Sequence, residues 1–283
     1  MKSKGAPLYA DAFRSSFFKI SYNHTGFRKG DFLMKEFKIS PEGDRALVAD
    51  FGNVIDEGIN DKVHMLASLI RSRKIKGVQE LLPTYRSLVV FYDPLIIMYD
   101  ELRKTIETIE PGSSSGSAAC REVLEVPCCY ADEFAPDIQG LSELSGLSAN
   151  EIITAHTSPL YKIFMMGFLP GFVYLGGLDP RIAAPRLENP RTSIPDRSVG
   201  IGGSQTGVYP ISSPGGWRLI GSTPLEFYDP LKADPILCHA GEYIRFLSIS
   251  HGEYDSIRKD VENGIYKPQI RSEKATAAES EIS

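Results

Sequence analysis

The sequence predicts an α+β protein built in two parts, a small antiparallel sheet covered by helices on one side and then an all-β barrel or sandwich. Three observations carry that expectation. Before residue 110 the apolar residues recur at strand and helix spacing in the order ββαββα. Beyond His156 they fall into many short runs separated by Gly and Pro. Between the two stands PGSSSGSAA, Pro111 to Ala119, whose Gly and Ser content reads as a flexible connector. A chain of 283 residues is long enough for roughly two domains, each with its own core.

Residues 1–33 show no sustained period and are expected to form a disordered extension. The first domain, 34–110, opens with EFKIS and RALVADF flanking Pro41-Glu42-Gly43, a strand, a turn and a strand. Ile59, Val63, Leu66, Leu69 and Ile70 then repeat at helical spacing. Gly77 to Leu82 and Ser87 to Tyr92 read as two more strands, and Leu102, Ile106 and Ile109 mark one face of a second helix. His64, alone on the first helix, reads as structural. Arg71, Arg73, Lys74 and Lys76 follow that helix, where cations favour its C-terminus.

The second domain, 120–271 after the connector 111–119, begins with the strand VLEVPCCY. Ile138, Leu141 and Leu144 give a short helix that stops at Gly146. Ser148 with Glu151 forms a capping-box pair for the next, which runs to about His156. Strand-like runs follow: YKIFMMGF, FVYLGG, SVGIGG, GVYPI, GWRLIGS, LEFY and ILCHAGEYIRFLSI, the last with a hairpin turn at Ala240-Gly241. Ser250 and Glu253 cap a final helix through Tyr254, Ile257 and Val261 that ends near Gly264. Residues 272–283 form a polar tail with too little apolar surface to order itself.

Composition narrows the function classes. With 31 Lys+Arg against 36 Asp+Glu, the formal charge of −5 offers no basic surplus for nucleic acid or an anionic membrane. No run approaches the ~20 apolar residues of a membrane helix, and Asp11, Arg14 and Lys19 break the N-terminal apolar stretches that a secretory signal needs. Cys120, Cys128, Cys129 and Cys238 lack CxxC spacing and read as free thiols of a cytoplasmic protein. The chain has no GxxxxGK[ST] phosphate loop and no GxSxG elbow. Gly200-Ile201-Gly202 lacks the third glycine of a dinucleotide fingerprint. Cys128, Cys129, Cys238 and His239 match no metal-ligand spacing, so no metal is expected.

One region stands out. Gly167 to Gly221 carries eleven of the 25 glycines, and GIGGSQTGVYPISSPGGW, Gly200 to Trp217, holds six of them with the only tryptophan. Eleven glycines inside strands would cost up to about 5–10 kcal/mol, comparable to a domain's net stability of about 5–15 kcal/mol. They are therefore expected in turns, or where something approaches the backbone closely. A binding surface of bare main chain is the preferred reading; tight barrel corners are the alternative. Phe168, Phe172 and Tyr174 supply aromatic surface around the Pro170-Gly171 turn, and Pro214-Gly215-Gly216 leads into Trp217. His156, Arg186, Arg191, Gln205 and Tyr209 are the polar candidates for ligand contacts, and no general base stands out.

GFLPGFVYLGGLDPRIAAPRLENPRTSIP, SVGIGGSQTGVYPISSPGGWRLIGSTP and the AGEYIRF hairpin resemble signature blocks of the bacterial 5-oxoprolinase B subunit family, also described as allophanate hydrolase subunit 1 and including a histidine-kinase inhibitor. The similarity runs from about Met34 to Ile249. It implies a ferredoxin-like N-terminal domain and a cyclophilin-like β-barrel domain. It also implies ATP-dependent opening of 5-oxoproline to glutamate in a complex with C and A subunits, the nucleotide bound mainly on a partner or at a shared surface. On that footing Gly171, Gly202, Thr206, Gly215, Gly216 and Trp217 would line a pocket completed by the partner, with His156 and Tyr209 as polar contributors. Cys129-Tyr130-Ala131-Asp132 departs from the family's usual Tyr-Gly-Gly, and Pro195-Asp196-Arg197 replaces a small Ala-Gly pair. Two further roles fit the family. One is inhibition of a sensor histidine kinase by gripping its dimerisation helix. The other is the carboxyltransferase half of a urea carboxylase-like enzyme, for which a biotinyl lysine must come from another chain.

Overall fold

The computed structural model describes residues 37–109 and 120–274. The expected extension 1–33 and connector 111–119 lie outside the described residues, as does the tail beyond Lys274.

The first part holds β1 (Lys38–Pro41), β2 (Ala46–Asp50), α1 (Glu57–Arg73), β3 (Val78–Pro83), β4 (Ser87–Tyr92) and α2 (Tyr99–Glu107). Asp56 caps α1 by accepting from the Ile59 amide at 3.1 Å, and the helix stops at Lys74 in the left-handed region, φ 46°. Its buried stripe, Val63, Leu66, Ala67 and Ile70, packs with Leu47, Leu88 and Val90 of the sheet and Leu102 and Ile106 of α2. The sheet order is β1-β2-β4-β3, every neighbouring pair antiparallel. Strands β2 and β3 thus run parallel on either side of β4, joined by α1 as a split β-α-β crossover. The chain order differs from the βαββαβ of a ferredoxin-like unit: the edge strand beside β2 is β1, ahead of it in the chain, and among the described residues no strand follows α2 in this sheet.

The second part holds β5 (Cys120–Cys129), α3 (Ile138–Ser145), α4 (Ala149–Thr157), β6 (Tyr161–Met166), β7 (Val173–Gly176), β8 (Arg191–Ile194), β9 (Ser198–Gly202), β10 (Gln205–Val208), β11 (Ser213–Gly215), β12 (Arg218–Ser222), β13 (Tyr243–Ile249), α5 (His251–Glu262) and β14 (Gln269–Lys274). The order β12-β9-β10-β7-β6-β13-β5 closes on itself where Ser222 of β12 meets Cys129 of β5. The barrel is filled by Tyr161, Phe227 and Phe246 among aliphatic side chains. Both expected capping boxes form, Ser148 with Glu151 and Ser250 with Glu253. Cys128, Cys129 and Cys238 are free and buried.

Three expectations need correction. Ser272 to Lys274 belong to β14, which extends the barrel sheet beyond β5 and is anchored by the pairs Arg271–Glu125 and Arg245–Glu273. LEFY forms no strand; Tyr228 makes only an isolated bridge to Ile236. Ala240-Gly241 does form a turn, closed by the Glu242 amide on the His239 carbonyl at 3.2 Å, but not that of a hairpin: Gly241, at φ +95°, gives its amide to Ile163 of β6, and the turn leads into β13 with no strand before it to pair.

Candidate functional site

Side-chain alternation on the barrel strands decides what the glycines do. Val173, Leu175, Ile201 and Val208 point into the barrel, so Phe172, Tyr174, Gly200, Gly202, Gln205 and Gly207 lie on the outer face of β7, β10 and β9. Trp217 covers that face. Its indole is 3% exposed and packs with Phe172, Ile194, Tyr209 and Leu219 in a cluster separate from the barrel core. A Cβ added to Gly202 would lie 2.5 Å from indole Cδ1, and one on Gly207 would lie 3.0 Å from Cζ3. The glycines thus form a floor for a ring whose burial removes on the order of 200 Å² from water, worth about 5 kcal/mol as an upper bound. Gly215 has the same use, since its Cβ would meet Ile194 and the Tyr209 hydroxyl, each at 2.7 Å. At Gly171, φ +80°, it would meet the Phe227 carbonyl at 2.7 Å. The bare main chain expected as a binding surface is therefore mostly covered by the protein's own side chains. Gly203, in the tight β9–β10 turn, and Gly216 retain open or ordinary surroundings.

His156 and Thr206 are also enclosed, each 0% exposed. The His156 Nδ1 lies 2.7 Å from the Tyr130 hydroxyl and its Nε2 lies 2.9 Å from Thr206 Oγ1. Thr206 spends its one proton on the Gly200 carbonyl at 3.0 Å, so it must accept from His156. Nε2 then carries the proton and Nδ1 accepts from Tyr130. Burial pushes the His156 pKa down to about 3. A neutral ring with both nitrogens engaged ties α4 to the residue just after β5 and to β10, and offers nothing to a ligand. Arg191 is likewise structural. It grips Asp137 through two 2.8 Å hydrogen bonds, while Asp137 also accepts from the Leu219 amide at 2.7 Å.

What stays accessible is the outer end of an aromatic ledge, the Phe168 ring; Phe172 in its middle is buried and Tyr174 is half-buried. Phe168, 60% exposed, stands at φ +69° with the Leu169 amide bonded to the Gly167 carbonyl at 2.8 Å, the strained form of γ-turn. Ring centroids step from Phe168 to Phe172 at 5.6 Å and from Phe172 to Tyr174 at 4.8 Å. Tyr174 then reaches Tyr85 of the first part at 5.8 Å. A shallow cavity of about 390 Å³ runs along Gly167, Phe168, Pro170, Gly171 and Ile236. Pro214 and Arg186 are exposed. Burial pushes the Tyr209 pKa up to about 12.

A second cavity, about 330 Å³, opens between the two parts and is bordered by Asp56, Glu57, Phe164, Leu178 and Gln205. Its floor exists because β6 bulges against β7 between Ile163 and Met165, which turns the Phe164 carbonyl toward α1. That oxygen accepts from Asn60 Nδ2 at 3.0 Å and His64 Nε2 at 3.2 Å. Lys162 pairs with Asp61, and the Tyr243 hydroxyl donates to Glu57 at 3.0 Å. Burial lowers the His64 pKa, consistent with a neutral imidazole at the seam. Sequence reading missed Asn60 and Tyr85, which meet the barrel only through contacts distant in the chain; no local pattern marks them.

Residues 37–238 match the family described as carboxyltransferase domain, subdomain C and D. The chain is 39% identical over 234 residues to the 5-oxoprolinase B subunit of Bacillus subtilis (strain 168), covering 79% of this chain and 98% of that protein. It is 33% identical over 217 residues to the 5-oxoprolinase B subunit of Escherichia coli O157:H7, covering 74% and 95%. Of solved structures, that of TTHA0988 superposes with a TM-score of 0.65 at 31% identity, over 73% of this chain and 40% of the other. Kluyveromyces lactis urea carboxylase shares the fold at a TM-score of 0.69 and 19% identity, over 83% of this chain and 24% of the other. The α+β class with a cyclophilin-like closed barrel stands as the sequence predicts it. With most of its length aligned to two such proteins and a family match across both parts, the chain belongs to the 5-oxoprolinase B subunit family, built on subdomains C and D of the carboxyltransferase domain.

Proposed function

We propose that this chain is the B subunit of a cytoplasmic, ATP-dependent 5-oxoprolinase that opens the lactam of 5-oxoproline to glutamate together with C and A subunits. The observation that carries the reading is the 39% identity to a 5-oxoprolinase B subunit over 98% of that protein's length. The exposed ring of Phe168 supports the need for partners, because an apolar ring at the tip of a strained loop favours coverage by another protein surface. A division into a first domain of 34–110 and a second from 120 through β14 goes with it, supported by separate main cores in the two parts.

A lactam carbonyl is a poor electrophile, and ATP supplies the activation when it is bound. The residues present here do not fit a triphosphate by themselves. The chain lacks a glycine-rich phosphate loop, and no group of three or more His, Cys, Asp or Glu side chains among the described residues could hold its metal ion. Nucleotide binding is therefore assigned to a partner or a shared surface. This chain's own part is to present the ledge to a partner. His156 is no general base, because it is sealed and neutral.

The reading is tested by purifying the chain with C and A subunits and following glutamate release from 5-oxoproline with and without ATP. Co-purification with ATP-dependent release supports it. A stable complex without release, or no association, contradicts it.

A further inference from the structure

The loop between β4 and α2, Asp93 to Met98, holds three apolar side chains away from the core. Leu95 is 94% exposed, Met98 66%, and Ile96 is exposed as well, whereas Ile97 between them is buried. The backbone that carries them is pinned. The Asp93 amide donates to the Gly77 carbonyl at 2.8 Å, the Ile96 and Ile97 amides both donate to the Asp93 carbonyl at 3.0 Å, and the Leu95 amide donates to Asp93 Oδ1 at 3.0 Å. At the other end the Met98 carbonyl accepts from the Glu101 and Leu102 amides at 3.1 and 3.0 Å. Gly77, at φ +97°, lets the loop press in: a Cβ there would lie 2.7 Å from Ile97 Cγ2 and 3.1 Å from Ile96 Cγ2. Single exposed apolar residues are ordinary on a protein surface. Three within four positions, on backbone fixed at both ends, form a preorganised patch.

Charge divides on either side of the patch. The loop begins against the end of α1, where Arg71, Arg73, Lys74 and Lys76 are all exposed. It ends where Met98 opens α2, whose first turn carries the exposed Asp100 and Glu101. Lys76 directly precedes Gly77, and the Val78 amide on the Ile75 carbonyl at 3.2 Å keeps Lys74 in the same corner. None of these six groups makes an ion pair among the described residues, whereas Arg103, further along α2, holds Glu107 at 2.8 Å. The β1–β2 turn at this end of the sheet, on the side away from β3, adds Glu42 and Asp44 with Arg45. Cations at a helix C-terminus and carboxylates at an N-terminus suit each macrodipole. That accounts for the charges, but not for the apolar side chains exposed between them.

We infer that this patch docks a second copy of the chain, by a two-fold contact between the two β4–α2 loops. A strip that reads basic, apolar, acidic is complementary to itself after a half turn. Leu95, Ile96 and Met98 then meet their counterparts, and the α1 end of each copy faces the α2 start of the other. The same rotation sets the negative end of one helix dipole against the positive end of another. An anionic membrane suits the strip less well, because Asp100 and Glu101 would face its headgroups beside Met98. With three apolar side chains at its core the contact belongs with weak, transient interfaces rather than obligate ones, and its occupancy is set by chain concentration. It is independent of the 5-oxoprolinase reading. The β3–β4 turn meets the barrel through Tyr85, whereas this loop follows the opposite end of β4 and uses no residue of the Phe168 ledge.

The full chain is followed by analytical ultracentrifugation from about 1 to about 300 μM, and its mass is expected to rise from one chain toward two. Leu95→Asp weakens the association about tenfold or more. Leu231→Asp, at an equally exposed leucine between β12 and β13, leaves it unchanged. Arg73→Glu with Lys76→Glu makes one charge-reversed chain, and Asp100→Lys with Glu101→Lys makes the other. Each sets like charges together at both contacts of the two-fold, so neither associates with itself. Mixed in equal amount the two pair with each other, because each then meets the opposite sign twice. Circular dichroism confirms that each variant is folded. A single-chain mass throughout the range, an association that Leu95→Asp leaves unchanged, or charge-reversed chains that fail to pair on mixing overturns the proposal. A wild-type chain that stays single but binds vesicles of about 30% phosphatidylserine through Leu95 also overturns it, and makes the patch a membrane contact.

Discussion

The indole of Trp217 occupies the space where a side chain on Gly202 would have to stand, 2.5 Å from its Cδ1 to the added Cβ. This contact is with a packed ring, so the neighbour cannot swing away. Gly202→Ala is expected to destabilise the chain by about 1–3 kcal/mol through overpacking and to red-shift and quench tryptophan emission. Gly252→Ala serves as the control: it lies in α5 with nothing within 4 Å of its Cβ, and the helix gains about 0.5–1 kcal/mol from alanine. Denaturant midpoints rank the two; a Gly202→Ala midpoint equal to the wild type would refute the packing role.

His156 makes stability depend on pH in a definite direction. Its ordinary value of 6.5 falls to about 3 in the fold, so between those values the unfolded chain takes up a proton that the folded chain refuses. Stability is complete above about 6.5 and declines as pH falls toward 3, by up to about 1.4 kcal/mol per pH unit from this group. His156→Gln can still hydrogen-bond but does not titrate. It should lower stability at pH 7.5 by about 1–3 kcal/mol and flatten the slope between pH 6 and 4.5. Equal slopes in both proteins would show that the ring is protonated in the fold.

Arg197 is a buried arginine at φ +65° whose guanidinium meets Glu226 at 2.7 Å, with Nε unpaired. Glycine would relieve the left-handed backbone, worth about 1 kcal/mol, but lose the pair. Glu226→Ala leaves the conformation and reduces the buried charge to one partner, the half-exposed Asp196 at 3.1 Å. Glu226→Ala should therefore cost more, about 1–3 kcal/mol given that Glu226 is 30% exposed, and Arg197→Gly less. The reverse ranking in thermal unfolding would mean that backbone strain outweighs the ion pair.

Phe168 separates assembly from stability. Removing a ring that is 60% exposed should change folding stability by less than about 0.5 kcal/mol. If the ledge receives a partner, Phe168→Ala weakens co-purification with C and A subunits about tenfold or more, and Phe168→Gly, which also relaxes the γ-turn, does the same. Undiminished capture of both partners by Phe168→Ala would remove the ledge from the interface.

Much of the fold was legible because local chemistry and tertiary structure agree. The stripe Val63, Leu66 and Ile70 and the caps Ser148–Glu151 and Ser250–Glu253 are short-range signals that packing did not override. The closed barrel followed from many short apolar runs. Two features were illegible. LEFY has strand composition but finds no continuous partner, and only the bridge from Tyr228 to Ile236 remains. The glycines signalled close approach correctly, yet composition could not say whose atoms approach; they are those of Trp217, Tyr209 and Ile194. His156 and Thr206 read as ligand groups because polarity is visible in sequence and burial is not. Tyr85 and Asn60 gave no signal at all, since their partners in the barrel are distant in the chain, Phe164 for both and Tyr174 for Tyr85.

The most direct measurement is the rate of glutamate release from 5-oxoproline by C and A subunits with ATP, before and after adding this chain in equal amount. The account predicts release that begins on its addition, saturates near one equivalent and stops when ATP is withheld. Release at the same rate without the chain, or none with it, contradicts the account.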